Sequence, residues 1–149
     1  MSFRYVAAKL FFALAAICAL VGAFLFRQGG VGSGLTAKDY LNPLFLVTVP
    51  RLIPFAASIL SAFFGLVYYG FEKKSGRPAS FLLVMVHLIS YLFGILGHLT
   101  LVHFWWTVLG EENATIPLPF WASILMIVGF AACFLAFGAN IFRSMWRTP

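Results

Sequence analysis

Apolar residues dominate this chain in four long runs, roughly residues 6–26, 45–71, 81–109 and 119–142, separated by short polar stretches. Each run reaches the ~20 residues that an α-helix needs to cross a ~30 Å hydrocarbon layer. Strands of a membrane barrel would be shorter and would alternate in polarity, so helices are the expected elements. The pattern predicts an all-α, polytopic integral membrane protein with four transmembrane helices, forming a single domain over residues 1–149.

Composition strengthens this picture. The chain is 62% hydrophobic and only 9% charged, where a soluble domain carries about a quarter charged residues. The first run follows a basic segment (Arg4, Lys9), as a signal peptide would. It is long, however, and no clean small-x-small cleavage site follows it, so a true span is expected. Cys18 and Cys133 both fall mid-span and are expected as reduced core residues. A disulfide between them would need close Cα atoms.

The ten basic residues divide unequally between the two sides of the predicted spans. Arg4, Lys9, Lys73, Lys74, Arg77, Arg143 and Arg147 share one side; Arg27, Lys38 and Arg51 share the other. Seven against three predicts that both termini and the loop around residues 72–77 are cytoplasmic. The inner membrane of a bacterium is the expected location. The net charge of +6 is then a topology signal, and no nucleic-acid partner is expected, because the basic residues form no continuous patch.

Of the loops, the first contains "GGVGSGL", and the third contains Asn113-Ala114-Thr115, a pattern for glycosylation that has meaning only outside bacteria. The second, around "EKKSGRPAS", places Pro78 and a capping Ser80 ahead of span three. Short second and third loops predict that spans two, three and four are antiparallel neighbours. Trp105, Trp106 and Trp121 are expected at one interface, and Tyr68, Tyr69 and Trp146 at the other.

The candidate chemistry sits in span three, "VHLISYLFGILGHLTLVHFWW", which holds all three histidines. His87 and His98 are eleven residues apart. On a helix that separation leaves them only about 20° apart and about 16 Å apart along the axis. Gly94 lies on the same stripe, with Tyr91 and Trp105 extending it. His103 points about 140° away from His98. Imidazoles with a small residue between them are what a membrane heme requires of a helix. The other spans contain no histidine. Paired ligands would therefore come from a homodimer or higher homo-oligomer, with span three on the symmetry axis. Hydrogen bonding of the histidines to backbone, or to Ser58, Ser61 or Ser123, is the structural alternative. Copper is a third and less favoured reading. Arg51, in "VPRLIP", would either clamp heme propionates or reach toward lipid headgroups.

Four segments together resemble subunit I of the heme-copper oxidases in shortened form. "AKLFFALAAICALVGAFL" is similar to that family's first helix, and "SAFFGLVYYGFEKKSGRP" to the inner end of its tenth. "HLISYLFG" with His103-Phe104 follows the spacing of the eleventh, and "FGANIFRSMWR" resembles the end of the last. The resemblance implies a helical membrane scaffold tied to respiratory-chain subunits. It implies no transferred ligand set. The stretch "TVPRLIPFAAS" lacks the family's paired heme histidines, "TVLGEENAT" lacks its propionate arginines, and the helices bearing copper ligands are missing. His87 and His103 match family histidines that are not ligands, and His98 has no counterpart.

The sequence therefore predicts a small heme-binding membrane protein for electron transfer or redox sensing, not an oxidase on its own. A b-type heme would sit on His87 and His98, with Gly94 and Arg51 assisting. The alternative is a cofactor-free accessory or assembly subunit of a larger respiratory membrane complex.

Overall fold

A computed structural model describes residues 5–28, 50, 52–110 and 119–146. Four helices account for nearly all of them: α1 (Val6–Gln28), α2 (Ile53–Ser75), α3 (Phe81–Gly110) and α4 (Phe120–Trp146). All four are long and apolar enough to cross a membrane, and they define an integral membrane protein of the all-α class.

The helix boundaries follow local chemistry more than hydropathy. The second helix begins at Ile53, eight residues after the apolar run does, with Pro54 in its first turn. Proline lacks an N–H and suits only that turn of a helix. At its other end α2 continues beyond the apolar run through Glu72, Lys73 and Lys74. Hydropathy marks the hydrocarbon layer, whereas helix continues until the backbone is turned. Gly76 turns it, with φ 68° and its N–H bonded to the Glu72 carbonyl at 3.1 Å. The left-handed conformation favours a residue without a Cβ. The third helix starts immediately after Ser80, whose carbonyl accepts from the Val84 N–H at 2.9 Å.

Helix directions alternate. The Tyr5 and Tyr69 rings lie 5.2 Å apart, joining the start of α1 to the end of α2. The Ser80 N–H bonds Asn140 Oδ1 at 3.0 Å, joining the start of α3 to the end of α4. One end of the bundle thus gathers the start of α1, the α2–α3 turn and the end of α4.

Backbone proximity divides the four helices into two pairs, α1 with α2 and α3 with α4. Glycine makes the second pair close. A Cβ on Gly97 would fall 2.5 Å from the Met126 nitrogen, and one on Gly129 would fall 2.5 Å from the Gly94 nitrogen. Small residues let helices approach in lipid, where no hydrophobic drive presses them together. In the first pair, Gly65 admits the Phe12 ring, and Ser58 Oγ donates to the Ala15 carbonyl at 2.8 Å.

Spans two and three are antiparallel neighbours, as expected. Although only five residues separate them, α2 and α3 touch chiefly through long side chains and not by close backbone approach. The space between the hairpins is filled by Phe11, Phe64, Tyr68 and Tyr91, all buried. Rings of this size keep backbones apart, whereas the glycines of α3 and α4 bring them together.

Candidate functional site

His87 is the centre of the buried interior, with none of its surface exposed. The third helix carries it two turns in from the Ser80 end and directs it at the junction of the two hairpins. Aromatic rings surround it: Phe64 at 4.5 Å between centroids, Phe11 at 4.6 Å, Phe137 at 5.2 Å and Tyr68 at 5.7 Å. These rings come from α1, α2 and α4, so all four helices meet at this imidazole.

A directed chain of hydrogen bonds fixes it. The Ser80 N–H donates to Asn140 Oδ1 at 3.0 Å, which leaves the Asn140 amide nitrogen as a donor. That nitrogen donates to Tyr68 Oη at 3.2 Å. The Tyr68 hydroxyl then has its own hydrogen to give, and His87 Nδ1 lies 3.0 Å away. The best-satisfied assignment makes Nδ1 the acceptor and puts the proton of a neutral imidazole on Nε2. Nε2 is buried and has no hydrogen-bond partner among the described residues.

A second buried set lies one turn further along α3. Tyr91 donates to the Ala57 carbonyl at 2.8 Å and accepts from Ser61 Oγ at 3.3 Å. Two of the three serines expected to serve the histidines, Ser58 and Ser61, are therefore used otherwise. Ser61 bonds Tyr91, and Ser58 bonds α1. Tyr68, expected at the membrane interface, is 1% exposed and is the partner of His87; Tyr69 alone of that pair is exposed.

The predicted stripe on α3 is partly realised. Val84, His87, Tyr91, Gly94 and Gly97 are buried on one side. Toward the far end the stripe emerges. His98 is half-buried, and Trp105 is exposed. His103, expected off the stripe, is exposed. Arg51 lies outside the described residues, as do the first and third loops.

These surroundings do not fit a heme at His87 within one chain. The imidazole is enclosed by rings from every helix that faces it, at 4.5–5.2 Å between centroids, where a macrocycle on Nε2 would have to lie. Gly94, expected to admit the flat macrocycle, is filled from α4: a Cβ there would meet the Phe130 ring at 2.8 Å. Nor do Gly94 and Gly97 present a free surface to a symmetry mate, because both lie against α4 of their own chain. Cys18 and Cys133 are free thiols, the latter wholly buried. Among the described residues, no three of His, Cys, Asp and Glu come together.

No family model, no curated protein and no solved structure matches the chain. The class that the fold defines, a four-helix integral membrane protein, rests on the helices themselves.

Proposed function

We propose that this protein is a cofactor-free accessory or assembly subunit of a larger membrane complex. Its four helices form a self-contained scaffold, and its outer faces are offered to lipid and to neighbouring subunits. The observation that supports this reading is the state of His87. The side chain best suited by position to hold a prosthetic group is instead enclosed by rings from α1, α2 and α4. The resemblance to oxidase subunit I makes a respiratory complex the first partner to examine. The seven-to-three division of basic residues gives the orientation, with both termini in the cytoplasm.

A second reading keeps b-type heme and places it at a contact between copies. The half-buried position of His98 favours it, since that imidazole lies nearer the lipid-facing surface than His87 does.

Absorbance of the full chain, purified in detergent from cells supplied with heme, separates the two. A colourless protein, together with loss of an assembled respiratory complex when its gene is deleted, is the expected result. A Soret band that disappears with His98→Ala would replace the first reading with the second. A band that disappears only with His87→Ala would overturn the arrangement of the core.

A further inference from the structure

Beyond the His87 core, a second polar feature lies where the α2–α3 turn meets the end of α4. Glu72 is 3% exposed, although it stands in the last turn of its helix between a phenylalanine and two lysines. One carboxylate oxygen, Oε1, accepts from the Ala79 N–H at 2.9 Å and so braces the turn. The other, Oε2, is buried and has no hydrogen-bond partner among the described residues. A buried carboxylate oxygen left so has given up its hydration with nothing in return.

Glu72 lines a small notch together with Tyr68, Arg77, Asn140 and Ser144. Its volume is about 10 Å³, the space of about one water molecule. Its walls carry complementary groups. Glu72 Oε2 is an acceptor. The Ser144 hydroxyl gives its hydrogen to the Ile141 carbonyl at 2.7 Å, so its oxygen is left to accept. Asn140 uses one of its two amide N–H bonds on Tyr68, which leaves the second to donate. A buried water typically makes about three hydrogen bonds to otherwise unsatisfied groups.

We infer that this notch is a binding site for a single water molecule, which donates to Glu72 Oε2 and Ser144 Oγ and accepts from the Asn140 amide. The water completes the Glu72 carboxylate and ties the α2–α3 turn to α4, on the side of Asn140 opposite its bond to Ser80. A cation is the poorer occupant, because a basic residue, Arg77, lines the same notch.

A high-resolution crystal structure of the full chain, grown in a lipid mesophase, tests this directly. The expected result is one solvent peak within about 3.2 Å of Glu72 Oε2. A direct bond from the Arg77 guanidinium to Oε2, a peak with the short multi-oxygen coordination of a metal ion, or an empty notch would each overturn it. Nuclear magnetic resonance of the protein in nanodiscs gives an independent measurement. A cross-peak between water and the Asn140 side-chain amide, with the sign of a long-lived complex, is expected, and its absence counts against the site.

Discussion

The Tyr68 hydroxyl lies 3.0 Å from His87 Nδ1, joining α2 to α3 across nineteen residues of sequence. Because Asn140 already donates to the same hydroxyl, this bond is one link of a chain whose members depend on one another.

That dependence gives the first prediction. Tyr68→Phe leaves both the His87 and the Asn140 nitrogens without their partner while preserving the ring contacts. It should cost about 1–2 kcal/mol of stability, near the upper range for a hydrogen bond in a membrane. His87→Phe removes the imidazole but keeps an aromatic filler. The two substitutions together should cost less than their sum, because they break the same bond. Reversible unfolding in mixed micelles, read as a double-mutant cycle, would measure the coupling; an additive result would remove the bond from the account.

The glycines of α3 and α4 are not equivalent, and substitution should show it. Gly97→Ala would drive a methyl group onto the Met126 and Ala122 backbone, where neither atom can yield without moving the helix. A cost of about 1–3 kcal/mol is expected, typical of overpacking. Gly138→Ala meets nothing within 4 Å and should be neutral or mildly stabilising. Melting temperatures of the two variants in one detergent provide the comparison. Equal effects would contradict the close α3–α4 packing.

Asn140→Leu tests the lower end of the same core. Asn140 accepts from the Ser80 backbone and donates to Tyr68, so a leucine of similar size orphans both. The start of α3 should loosen. Hydrogen exchange at the Ser80 amide should quicken by roughly tenfold for each ~1.4 kcal/mol lost, while amides in the middle of α1 change little. Uniform acceleration throughout the chain would argue for global unfolding instead.

Sidedness is open to a genetic test. Reporters fused before Met1 and after Pro149 should both report cytoplasm, and one inserted near Ser33 should report the opposite side. Reporters on the two termini that disagree would be incompatible with four spans. Agreement with the reverse sign would overturn the orientation drawn from the basic residues.

The span count was legible in the sequence because apolar length alone fixes what can cross a membrane. Helix ends were less so. The extension of α2 to Ser75 depends on Gly76, and its late start on Pro54, and neither contributes to a hydropathy run. The burial of His87, Gly94 and Gly97 on one stripe follows from helical periodicity. What faces that stripe does not, since periodicity on one helix says nothing about its neighbour. One signal was available. Counting outward from Pro78 in the turn, Tyr68 lies ten residues before and His87 nine residues after, which sets them at similar depth. The burial of Glu72 had no such signal. An acid beside two lysines at a helix end reads as solvated, and only the fold of the turn back onto it, with Ala79 as donor, encloses it.

The pairing of α1 with α2 and of α3 with α4 bears on how the chain is made. Each hairpin buries its closest backbone surface within itself, so the first can be finished in the bilayer while the second is still on the ribosome. The five residues of the central turn then act as a tether between two prefabricated parts, which dock by sliding rings of Phe11, Phe64 and Phe137 around one imidazole. Two separately translated halves, divided within that turn, should accordingly find each other in the same membrane.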